Sequence, residues 1–185
     1  MSQLKDDKRL WKRVVPVAFH VDYWDYIGWP DRFATPEYSE RQKNHRRLGN
    51  AYSVYTPGFL VNGREWRGWF SRPELRVKAG EMPGPLKASY EDGLLEASFT
   101  PSKPKGRYQL SFAVLGMSLS TQVDAGENAG REFSHDFVVL DLQSWILKPD
   151  RSGAHGVAQR VKFNRKDSKQ IALAVWVSAP GSQVA

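Results

Sequence analysis

Residues 53–63 read SVYTPGFLVNG, and the fold of the first half follows from how this stretch is taken. Pro57 fixes its own φ and biases Thr56 toward extended backbone, so the chain enters Gly58 as a strand rather than a helix. The apolar run Phe59, Leu60, Val61 then meets Asn62-Gly63. That pair suits a two-residue hairpin turn, whose central positions both need positive φ. The spacing predicts a strand over 58–61, a turn at Asn62-Gly63 and a returning strand over 64–69.

On the N-terminal side lies TPEYSERQKNHRRLGN, from Thr35 to Asn50. Thr35 is a good N-cap, Pro36 suits the first turn, and Glu37 and Glu40 complement the positive end of the dipole. Arg46 and Arg47 complement the negative end before Gly49. A helix is expected here, and with only Tyr38 and Leu48 apolar it should cover one face of a sheet and stay largely solvated. Before it come the aromatic loop DYWDYIGWPDRF and the β-branched run VVPVAFHV (14–21), which reads as a buried strand. Leu4, Leu10 and Trp11 have loosely helical spacing, as in the tail of a helix. On the C-terminal side, Ser71 and Pro73 open a further helix over 72–79 that Gly80 and Pro83 stop, and MPGPL (82–86) marks a boundary.

Beyond that boundary the chain is written in strands. LKASY and LLEASFT flank the turn Glu91-Asp92-Gly93, and RYQLSFAVL and MSLSTQVD flank Gly116. FSHDFVVLDLQSWIL follows the GENAGRE loop, and VAQRVKF and IALAVWV flank a polar turn. About seven strands at this spacing suggest an immunoglobulin-like antiparallel sandwich. The expected class is α+β: an α/β domain over 1–82 followed by an antiparallel β-sandwich-like domain over 83–185.

With 185 residues, 41% of them apolar, a real core can form. No stretch reaches the roughly 18 apolar residues of a membrane span, and the charged start MSQLKDDKRLWKR carries no export signal. A net charge of +7 invites a nucleic-acid reading. The basic residues are interleaved with acidic ones, and the clusters KNHRR and NRKDSK are short, so no nucleic-acid partner is expected. There is no cysteine, which removes disulfides, thiolate metal sites and thiol nucleophiles from this chain.

The strings AFHVDYWDYIGW (Ala18 to Trp29), ERQ (Glu40 to Gln42), VYTP with VNG (Val54 to Gly63), and GENAGR with His135 and Val138-Val139 resemble the bacterial domain-of-unknown-function-1223 family. The resemblance covers nearly the whole chain. It implies an exported protein, periplasmic or secreted, with a thioredoxin-like domain and a β-rich domain behind it. It also implies a cis-proline at Thr56-Pro57 facing a Cys-x-x-Cys motif, and hence a thiol-disulfide oxidoreductase, or an assistant to one, in the cell envelope. The first strand and the cysteine motif have no counterpart here, so residues 2–12 would be the remnant of the cysteine-bearing helix. Upstream coding sequence is the favoured explanation, and a lineage that lost the motif is the other. An uncovered central-sheet edge would then make a homodimer the simplest cover. The cysteine-free chain is expected to be redox-inactive.

Three groups of residues are candidates for a site. Tyr55, Thr56 and Pro57 form a groove that could take up an extended peptide through its backbone, or the proline merely sets a strand entrance. His20, Asp22 and Asp25 stand at a strand end, where His20 and Asp22 share a side; a metal needs a third ligand, and a polar strand end bonded to its loop is the commoner arrangement. Tyr23, Trp24, Tyr26 and Trp29 offer a stacking platform or packing against a neighbouring element. The GENAGR loop with His135 fits a tight β-connection and no known catalytic fingerprint. No metal and no cofactor is expected, and a peptide or protein partner is the alternative to thiol chemistry.

Overall fold

The computed structural model describes residues 1–27, 30–68, 75, 83–104, 106–122, 130–166 and 168–182. The predicted helix over 72–79 except residue 75, Trp29 and residues 126–129 of the GENAGR loop lie outside the described residues. Among the described residues strands dominate, with a single α-helix, so the class is α+β with several sheets.

That helix, α1, spans Pro36–Arg47. Its C-terminus closes as a Schellman motif: Gly49 at φ 75° lets its own N–H reach Arg46 O and the Asn50 N–H reach His45 O. At the other end Thr35 sits in the extended N-cap conformation, but its hydroxyl makes no capping bond and is buried without a partner. Pro36 at the first position, where an N–H would be orphaned anyway, reduces what the cap has to satisfy.

The hairpin following α1 is short. Strands β1 (Leu60–Val61) and β2 (Arg64–Glu65) pair antiparallel about Asn62 (φ 49°) and Gly63 (φ 73°), as the turn residues require, and β2 ends well before residue 69.

A second hairpin, β3 (Leu86–Glu91) and β4 (Leu94–Phe99), turns at Asp92-Gly93, both in the left-handed region. It continues into β5 (Gln109–Met117), β6 (Leu119–Gln122), β7 (Glu132–His135), β8 (Val138–Ile146), β9 (Lys148–Pro149), β10 (His155–Arg160) and β11 (Gln170–Ser178). Among the described residues nine strands therefore stand where about seven were expected. Gly116 is not a turn: β5 runs through it, and the corner falls at Ser118 (φ 50°), after which β6 pairs with β7. A second corner at Phe137 (φ 61°) splits the run 133–147 into β7 and β8.

The strands make a four-stranded sheet, β3-β4-β10-β9, and a three-stranded sheet, β11-β5-β8. These pack face to face. Leu95, Ala97 and Phe99 of β4 meet Leu110, Phe112 and Val114 of β5, with Leu147 and Val161 closing the layer. The opposite face of the β5 sheet is also covered: Ala113, Leu115, Val139 and Ala174 carry Tyr38 of α1 together with Val17 and Phe19. Burial on both faces explains why QLSFAVLGM is nearly all apolar, where a half-exposed strand would alternate.

The run 14–21 does not form the predicted strand. It touches the sheet at one parallel bridge, Ala18 to Val138, where the Ala18 N–H donates to Phe137 O and the Val139 N–H to Ala18 O. Val17 and Phe19 are part-buried by packing on the β5 sheet without a ladder of their own, while Val15 is exposed. Residues Ser2–Asp6 form a 3-10 turn, not an α-helical tail. Among the described residues no helix is long and apolar enough to cross a membrane.

Candidate functional site

After Ala18 the chain leaves the sheet and folds back against α1. Ser39, buried in the first turn of α1, donates its hydroxyl to Asp22 Oδ1 at 2.5 Å and accepts the Asp22 N–H at 3.2 Å. His20 Nδ1–H donates to Asp31 Oδ2 at 2.5 Å, the other carboxylate oxygen of Asp31 accepts the Phe33 N–H, and Asp25 Oδ1 accepts the Asp31 N–H at 3.1 Å. His20 and Asp22 are therefore held by different partners, and among the described residues no three groups converge as a metal site. Asp25 and Asp31 accept backbone N–H groups within the loop, and Asp22 ties the loop to α1.

Behind this loop His20 stands edge-on to Phe33 and to His135, with ring centroids 5.8 and 5.3 Å away. Burial pushes Asp31 up, yet the His20 and Phe33 bonds outweigh it and hold the carboxyl below its ordinary range. Burial, reinforced by the neighbouring His20, lowers the His135 imidazole.

The aromatic residues form a row rather than a buried plug. Tyr23 and Trp24 lie 5.9 Å apart, and Trp24 stacks on Tyr26 at 6.2 Å. Trp24 is 48% and Tyr26 79% exposed. From Tyr23 the row passes through Gln42 of α1: the Tyr23 hydroxyl donates to Gln42 Oε1 at 3.1 Å, and Gln42 Nε2 donates to Tyr55 O at 2.5 Å. One amide thus ties the aromatic loop to the Thr56-Pro57 loop. Burial raises the Tyr23 phenol against the opposing bonds to Gln42 and Thr56.

Thr56, Pro57 and Gly58 are exposed, and the Thr56-Pro57 peptide is cis. A β-carbon on Gly58 would stand 3.0 Å from Tyr55 O and 3.3 Å from Gln42 Nε2, so glycine leaves room for the amide link. The row ends at Tyr52, 83% exposed, where the Arg67 guanidinium lies 5.6 Å from the Tyr52 ring and 5.7 Å from that of Tyr55. Glu65 fixes this end by pairing with Arg67 at 3.2 Å and accepting the Tyr52 N–H.

Sequence reading found Tyr55, Thr56, Pro57, Tyr23 and Trp24, which the structure brings together. It missed Asp31, which lies within the loop string DYWDYIGWPDRF, and Tyr52 and Arg67, which flank SVYTPGFLVNG. Gln42 was visible within ERQ, four residues after the buried Tyr38. Chemically the surface offers rings, one cation and backbone groups, with no thiol.

Residues 1–178 match the model of a family described as protein of unknown function (DUF1223). The chain belongs to this family. An X-ray structure of a protein from Agrobacterium tumefaciens is similar to this DUF1223 chain at 21% identity, covering 85% of this chain and 83% of that one, with a TM-score of 0.48. No curated protein matches the DUF1223 chain.

Proposed function

We propose that this chain is a thioredoxin-like protein without redox chemistry of its own, which binds an extended polypeptide along the Thr56-Pro57 loop and the aromatic row. The observation that supports this is the line of rings Tyr26, Trp24, Tyr23, Tyr55, Tyr52, exposed at Tyr26, Trp24 and Tyr52, half-buried at Tyr23 and Tyr55, and tied across its middle by Gln42. Rigid aromatic side chains give large contact area at low entropic cost, and an exposed extended loop beside them offers backbone groups to a strand-like ligand. Panning a display library of random twelve-residue peptides against the protein tests the reading. Selected peptides should lose at least tenfold in affinity to a Trp24→Ala/Tyr26→Ala variant with an unchanged circular dichroism spectrum. Equal binding by that variant refutes the site.

A second reading is favoured by the placement of the Thr56-Pro57 loop at the entrance to β1. In it, longer relatives carry out thiol-disulfide exchange in the periplasm or outside the cell, against a cysteine motif opposite Pro57. The cysteine-free chain then shows no insulin reduction above a blank. Measured turnover would exclude this reading.

A further inference from the structure

Between the loop 31–33 and the loop 164–166 lies a cavity of about 300 Å³ lined by Arg32, Phe33, Asn164 and Lys166. We propose that it is a binding site for a tetrahedral oxyanion of the phosphate-monoester class. The proposal is independent of the polypeptide reading and uses none of its residues.

Each polar side chain among the described lining residues carries a donor: Arg32, Asn164 and Lys166. Arg32 lies with its guanidinium carbon 4.5 Å from the centroid of the buried Phe33 ring, and one nitrogen donates to Ser120 O at 3.3 Å. The guanidinium is thereby oriented before any ligand arrives, leaving further N–H groups of its planar fork for an acceptor. Lys166 sits at φ 43°, a backbone conformation stabilised by its own N–H donating to Asn164 Oδ1 at 2.7 Å. Among the described residues its ammonium donates to the Arg32 carbonyl alone, at 3.4 Å, which leaves donors to spare.

Because Asn164 Oδ1 is turned inward to the Lys166 N–H, its Nδ2 is the end left for a ligand. The side chains lining the cavity thus present a guanidinium, an ammonium and an amide NH₂. Among the described lining residues no carboxylate stands. The neighbouring Asp31 is occupied by His20 and the Phe33 N–H. Two positive charges match a dianion, and an acceptor-rich tetrahedral group can use all three donors, whereas a monocarboxylate leaves one cation uncompensated.

Calorimetric titration with inorganic phosphate, methyl phosphate and acetate at constant ionic strength tests this. Saturable binding of both phosphates, with acetate at least tenfold weaker, is the expected result. Tight methyl phosphate beside weak inorganic phosphate would assign the natural ligand to an ester, and the reverse order to the free ion. Asn164→Asp keeps the acceptor for the Lys166 N–H but replaces the outward donor by a negative charge, and should abolish binding. Should that variant lose its folded spectrum, Lys166→Gln serves in its place and should weaken binding at least tenfold. Acetate equal to phosphate, no saturation, or phosphate affinity unchanged in a folded variant overturns the proposal.

Discussion

His45 shows at the level of one residue how the helix is anchored. It is 7% exposed, and burial, with the nearby Arg41 charge second, lowers its imidazole to about 4. The folded value lies below the ordinary one, so the unfolded chain takes up the proton first. This stability contribution is complete above about pH 6.5 and is lost as pH falls from there toward 4, by on the order of 3 kcal/mol. His45→Gln should flatten that acid limb: urea midpoints at pH 7.5 and 4.5 should differ less in the variant than in the parent. In the sequence His45 is hidden in KNHRR, which reads as a solvated basic cluster. Its position seven residues after Tyr38, two helical turns on, is the signal that places both on the inward face.

Hairpins were legible as elements because their turns are written in the residue types that most readily adopt positive φ: Asn62-Gly63 and Asp92-Gly93. Gly116 misleads because glycine has a second use. A β-carbon there would meet Leu119 and Leu140 methyl groups at 2.7 and 3.0 Å, so glycine makes room for packing inside β5, while the corner falls on Ser118. There the Asp136 carboxylate accepts the Ser118 N–H at 2.9 Å. The run 14–21 misleads as well: its apolar, β-branched composition reads as a buried strand, whereas Val17 and Phe19 are only part-buried, Val15 is exposed, and a single bridge joins the run to the sheet. A sharper element-scale prediction concerns Gly84, at φ 125°, where a β-carbon would stand 2.0 Å from Thr100 O. Gly84→Ala must push residues 83–85 off the end of β4, breaking the bonds from Ser102 N to Pro83 O and from Thr100 N to Pro85 O. A loss of roughly 2–4 kcal/mol in chemical denaturation is expected.

Across the whole molecule, alternation in the second half gave the two facing sheets, but which strands are neighbours was not legible. Pairing of β5 with β8 and β11 depends on side chains far apart in sequence. The third layer, Tyr38 with Val17 and Phe19 on the β5 sheet, couples the first half to the second. Tyr38→Ala should cost about 3–5 kcal/mol, as for other large buried aromatics. It should move the far-ultraviolet and tryptophan-fluorescence transitions together, and a shift in only one would show that the layers unfold separately. The aromatic row and Gln42 were partly legible as strings, whereas the donor-lined cavity joins residues more than 130 positions apart, as the contact from Lys166 to Arg32 measures.

The central position of β5 also sets a timetable. Its two neighbours are made at 138–146 and 170–178, so while the nascent chain emerges from the ribosome β5 is finished long before either flank exists. β5 can therefore pair on one side once β8 has been synthesised, while its other edge stays open until β11 follows, and the cell has to shield that apolar edge over the interval.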